Sequence, residues 1–94
     1  AVKVYRFVSR GDVRIAECGI VNIGVEMPSI DSSLEMKIKN YPAHGVCRER
    51  KILNTENLAN LDQVANMRFT ISLLPLMIRN GTGSPCRAVA ILDE

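Results

Sequence analysis

The chain has 94 residues, 47% of them hydrophobic and 4% aromatic, with 12 Lys and Arg against 10 Asp and Glu. That length can bury one modest core, and the apolar share is that of a globular chain and not of a disordered one. Two Tyr, two Phe and no Trp exclude a stacking platform for single-stranded nucleic acid. The two halves each carry six basic and five acidic residues, so no basic face is built for a phosphate backbone or an anionic membrane.

Residues 2–8, VKVYRFV, alternate and are rich in Val and aromatics, which predicts a strand ending at Gly11. Asp12 is placed to cap a short helix through Glu17, stopped by Gly19. The apolar, β-branched run at 19–26 predicts a strand covered on both faces, and Pro28 ends it. Residues 29–42 scatter Leu34, Met36 and Ile38 among Ser, Asp, Lys and Asn, and read as a loop or an irregular strand. A short helix is expected over 43–51, with Pro42 initiating it. Its cluster Arg48-Glu49-Arg50-Lys51 reads as a solvated face.

Leu58, Leu61 and Val64 stand three apart, as in a short amphipathic turn of helix. Residues 67–79 begin by alternating and then become apolar on both sides. That is a strand moving toward burial, with Pro75 marking a bulge or an unpaired edge. GTGS at 81–84 is a turn, and 87–92 is a final buried strand. The runs at 19–26, 68–79 and 87–92 are expected to share one sheet. The fold class that results is α/β with a mixed sheet.

Cys18, Cys47 and Cys86 are odd in number and far apart, so neither a zinc knuckle nor a dithiol redox pair is suggested. They read as reduced, mostly buried thiols of a cytoplasmic protein. No run approaches the ~18–20 apolar residues of a membrane span. Lys3, Arg6, Arg10, Asp12 and Arg14 interrupt any signal-peptide core. Asn80-Gly81-Thr82 fits a glycosylation sequon, but an Asn-Gly pair between two strands is first of all a turn.

Few residues can carry chemistry. His44 is the one histidine, so a His pair or a His-based relay needs a second from elsewhere. Ser29 and Asp31 follow a predicted buried strand, where α/β proteins place functional groups. Equally, the two residues could serve only to cap and turn the chain. GTGS lacks the Lys and the following helix of a phosphate loop.

Four ordered blocks raise His44 above an incidental residue. GVEMPSID (24–31), PAH (42–44), ILNTENLANLDQV (52–64) and RFTISLLPLMIRNGTGSPCRAVAIL (68–92) resemble the C-terminal half of the cyclase family. That family includes bacterial-type kynurenine formamidases and isatin hydrolase. The resemblance implies a swivelling β/β/α domain, here a single and incomplete one over 1–94. It also implies a site for zinc or manganese and hydrolysis of N-formyl-kynurenine or a related cyclic amide. By resemblance the family's later metal ligands fall on His44 and Glu56, a dozen residues apart. An imidazole and a carboxylate suit such ions, and a bound metal can lower the pKa of water to about 7. Read from the sequence alone, Glu56 would be a first-turn helix residue favourably placed toward the dipole.

The departures bear equally on function. The family's N-terminal H-x-G-T-H-x-D-x-P-x-H motif does not occur in these residues, and Glu26 replaces the Asp of the family's G-V-D. One His and one Glu are fewer than the three protein ligands usual for catalytic zinc. The chain by itself is therefore expected to be inactive. It reads either as part of a formamidase-like enzyme, itself a homo-oligomer by family habit, or as a truncated homologue that partners a full-length subunit.

Overall fold

The computed structural model describes residues 2–5 and 18–93. Two compact units divide the chain, the first running through Asp62 and the second beginning at Gln63. The helix expected over 12–17 and the far end of the first strand lie outside the described residues.

The first unit is a three-stranded parallel sheet with two helices in one of its crossovers. Strand β1 (Val2–Tyr5) and strand β3 (Leu53–Thr55) flank β2 (Asn22–Val25). Val2 stands opposite Asn22, and Asn22 opposite Leu53. Parallel strands need long connections, and the β2–β3 crossover carries helix α1 (Ser33–Lys39) and helix α2 (Pro42–Arg50). As the central strand, β2 is buried at all four positions, matching the covered strand expected there. Ile20, Ile23, Val25, Ile30, Ala43, Cys47 and Ile52 form the core, so α2 packs onto the sheet through Ala43 and Cys47.

Helix α1 corrects the sequence reading, which had a loop or irregular strand there. Met36 donates its amide to the Ser32 carbonyl at 3.0 Å, a helical bond. Leu, Glu, Met and Lys are good helix formers, and here propensity prevails over the period-two placement of Leu34, Met36 and Ile38. Leu34 and Ile38 remain exposed. Helix α2 forms where Pro42 predicted it. Asn40 and Tyr41 precede it in the left-handed region (φ 53° and 59°), and Lys51 at φ 57° ends it. Strand β3 was not anticipated. Its three residues are too few to show a period, and pairing with β2 creates it.

A single-turn 3-10 helix spans Leu61–Val64, at the division of the chain, and the second unit holds an antiparallel pair. Strand β4 (Thr70–Pro75) pairs with β5 (Cys86–Ile91), Thr70 opposite Ile91 and Pro75 opposite Cys86. Strand β4 falls within its predicted run but stops at Pro75, which is paired with Cys86 and not at a bulge or unpaired edge. The residues after it are exposed and not buried, and β5 starts one residue before its predicted run. Two further expectations are corrected here. These strands form their own sheet apart from β2, so parallel and antiparallel pairing occur in separate sheets. Strand β5 is largely exposed and not buried. The thiols are corrected as well: Cys47 is in the core, but Cys18 and Cys86 are exposed. No described helix is long and apolar enough to cross a membrane.

Candidate functional site

The C-terminal ends of β2 and β3 carry the site, where parallel sheets leave room for functional groups. Asp31 lies in the turn after β2, His44 in the first turn of α2, and Glu56 directly after β3. Backbone pairing on both sides fixes Glu56. Leu53 donates its amide to the Val21 carbonyl at 3.0 Å, Asn57 to Met27 at 3.0 Å, and Leu58 to Val25 at 2.9 Å. Below it, Thr55 Oγ1 donates to Asn22 Oδ1 at 3.0 Å in the interior. The Glu26 departure has a structural role, since its Oε1 accepts the Leu61 amide at 3.0 Å and fastens the segment beyond Glu56.

Asp31 organises the other half. Its side chain is 0% exposed. The Ala43 amide donates to Oδ1 at 2.8 Å, and the His44 amide donates to Oδ2 at 3.1 Å. The carboxylate thus caps α2 from twelve residues upstream, at a helix whose own N-cap position, Tyr41, makes no side-chain cap bond. Ser29 Oγ accepts the Asp31 amide at 3.1 Å and sets the turn. Burial by itself would raise the Asp31 carboxyl. The hydrogen bonds from the His44 ring and from the Ala43 and His44 amides outweigh it, with the His44 charge adding to them, and hold it below its ordinary value of 3.8.

His44 connects the two halves. Its Nδ1 lies 2.6 Å from Asp31 Oδ2 and its Nε2 lies 3.4 Å from Glu56 Oε1. The two residues singled out in the sequence therefore converge, although one rides a helix and the other follows a strand. Glu56 Oε1 is buried and, among the described residues, accepts no hydrogen bond, which is uncommon for a buried polar atom. Two donors held ~2.0–2.2 Å from one tetrahedral ion stand roughly 3.3–3.6 Å apart, so the 3.4 Å separation is one a divalent ion can bridge. The donor set suits zinc or manganese. Among the described residues no group of three or more His, Cys, Asp or Glu is placed to hold a metal ion together.

Two neighbours were less legible. Asp31 read as a possible cap, and it is one, but its contact with His44 needed the crossover to fold back. Tyr41 stands edge-on to the His44 ring, centroids 5.6 Å apart and planes at 89°. Nothing in the sequence marked it.

Comparison with known proteins identifies sequence relatives. The chain is 36% identical over 76 residues to kynurenine formamidase of Paracidovorax citrulli, covering 81% of this chain and 33% of that protein. It is 37% identical over 75 residues to kynurenine formamidase of Bacillus anthracis, covering 80% and 34%. It is 36% identical over 54 residues to isatin hydrolase of Roseibium aggregatum, covering 57% and 20%. The chain spans about a third of the length of the kynurenine formamidases it matches, in their C-terminal part. No family model and no solved structure matches.

Proposed function

We propose that this chain, a member of the cyclase family over its matched segment, is the C-terminal portion of a metal-dependent amide hydrolase resembling kynurenine formamidase. Its substrate would be N-formyl-kynurenine or a related cyclic amide, and its complete fold the family's swivelling β/β/α domain in a cytoplasmic enzyme. The observation that carries the reading is the convergence of His44 Nε2 and Glu56 Oε1 at 3.4 Å, with that oxygen buried and otherwise unpartnered. His44 and Glu56 would hold the ion. Zinc or manganese supplies, when bound, a Lewis acid able to polarise a carbonyl and to ease deprotonation of water. Asp31 keeps the imidazole aimed, and the paired backbone around Glu56 keeps the carboxylate opposite it. The remaining ligands would come from polypeptide beyond these residues, so the chain alone binds metal weakly and turns nothing over.

Zinc titration of the chain with 15N-labelled histidine tests this. The His44 ring signals should shift with added zinc, and the shift should vanish in Glu56→Gln. Ring signals indifferent to both zinc and manganese would end the metal reading, and N-formyl-kynurenine hydrolysis by the isolated chain would end the division of the site.

A second reading is a truncated homologue that docks on a full-length subunit. The observation favouring it is the apolar surface at and beyond the β4–β5 pair. Leu74, Leu76, Met77, Ile78 and Ile91 are all exposed there, more than a soluble monomer usually presents in one stretch. A stable 10.4 kDa species in analytical ultracentrifugation would count against it.

A further inference from the structure

The geometry assigns Asp31 as the positioning residue of this site: its carboxylate holds the His44 ring proton on Nδ1, so that an unprotonated Nε2 faces Glu56. The purpose of this device rests on the metal-site reading above, but the proton's place does not.

A neutral imidazole donates from one nitrogen and accepts at the other, and the partner of one nitrogen decides the state of both. Asp31 Oδ2 is 2.6 Å from Nδ1. The same carboxylate already accepts the Ala43 and His44 amides, at 2.8 and 3.1 Å. Converging donors call for an ionised carboxylate, which has no proton to give, so the proton between Asp31 and Nδ1 belongs to the ring.

Glu56 supplies independent support. Were Nε2 protonated, it would donate to Oε1, and a bond from N–H to a carboxylate closes to about 2.7–2.9 Å. Instead the separation is 3.4 Å and Oε1 accepts no hydrogen bond among the described residues. Two acceptors facing one another explain both facts, and both suit a site that receives a cation between them. The device is also rigid. Asp31 cannot swing into solvent, because its side chain is wholly buried and its two oxygens are tied to the first turn of the helix that carries His44. Helix cap and ring orientation thus depend on one carboxylate. A first ligand is oriented in the same way by outer partners in many metal sites.

The test is the 15N spectrum of the His44 ring in the metal-free chain, at a pH where the ring is neutral. His44 is the one histidine, so no assignment is needed. The expected pattern has Nδ1 protonated and Nε2 bare. In Asp31→Ala the signals should move toward a protonated Nε2 or an average of the two forms, and zinc affinity should fall 10–100-fold. A wild-type ring with Nε2 protonated overturns the assignment, as does an Asp31→Ala spectrum that keeps the wild-type pattern. The wild-type spectrum decides without the variant, so a variant that fails to fold leaves the test intact. A protonated Nδ1 in a chain whose ring ignores zinc upholds Asp31 and defeats only the metal-site reading.

Discussion

Replacing Asp31 with Ala should destabilise the first unit by about 2–4 kcal/mol. Loss of a helix N-cap costs about 0.5–2 kcal/mol. Leaving a buried amide without an acceptor costs about 1–3 kcal/mol, and the Ala43 amide is in that position, since Ala43 is a core residue bonded to Oδ1 at 2.8 Å. The two figures describe partly the same amide and do not simply add. The bond to His44 Nδ1 contributes less than its 2.6 Å suggests, because the His44 side chain is 37% exposed and water can replace the carboxylate. Asp31→Asn keeps one acceptor and should cost about 1–2 kcal/mol.

Urea unfolding followed by far-ultraviolet circular dichroism measures both variants, with the slope of the transition compared to confirm an unchanged native state. The charge adds a pH signature. The carboxyl is depressed in the folded chain, so its stabilisation is complete above the unfolded value near 3.9. It is lost as pH falls through the lower folded value. The gap between wild type and Asp31→Asn should therefore close under acid. A loss below about 0.5 kcal/mol for Asp31→Ala, within the range of ordinary surface changes, would refute the capping argument. A gap that persists undiminished at about pH 2 would refute the electrostatic part of it.

Other expectations are simpler. Glu56→Gln should weaken zinc binding at least 10-fold while leaving the metal-free stability within about 0.5 kcal/mol or raising it, since a buried, unpartnered oxygen loses its charge; calorimetric titration and urea curves on one sample check both. Ile23→Ala should cost about 2–5 kcal/mol as a cavity in the central strand, whereas Leu34→Ala, on an exposed face of α1, should stay within about 0.5 kcal/mol. Equal costs in urea unfolding would misplace the core. Lys51→Gly should stabilise by about 0.5–1 kcal/mol, because Lys51 ends α2 at φ 57° and ψ 42°, a conformation glycine adopts without a Cβ penalty; a lower thermal midpoint would contradict that.

The sequence by itself determined the pieces whose signal is local. The apolar run at Asn22–Val25, the proline opening α2, the Asn80-Gly81 turn and the strands on either side of it all follow from side-chain period and turn chemistry within a few residues. Resemblance to a family picked out His44 and Glu56, two residues that composition would have left ordinary. Tertiary structure decided the rest. Strand β3 exists because β2 offers it a parallel edge, and α1 forms where alternation suggested otherwise. Whether β4 and β5 join the parallel sheet or pair apart depends on strand edges that no period reports. Most of all, the 2.6 Å contact of Asp31 with His44 is made across thirteen residues of crossover. A single chain with no partner sequences contains no signal for such a contact. Only the closing of that loop onto the end of the sheet brings an acid, an imidazole and a second acid into one line.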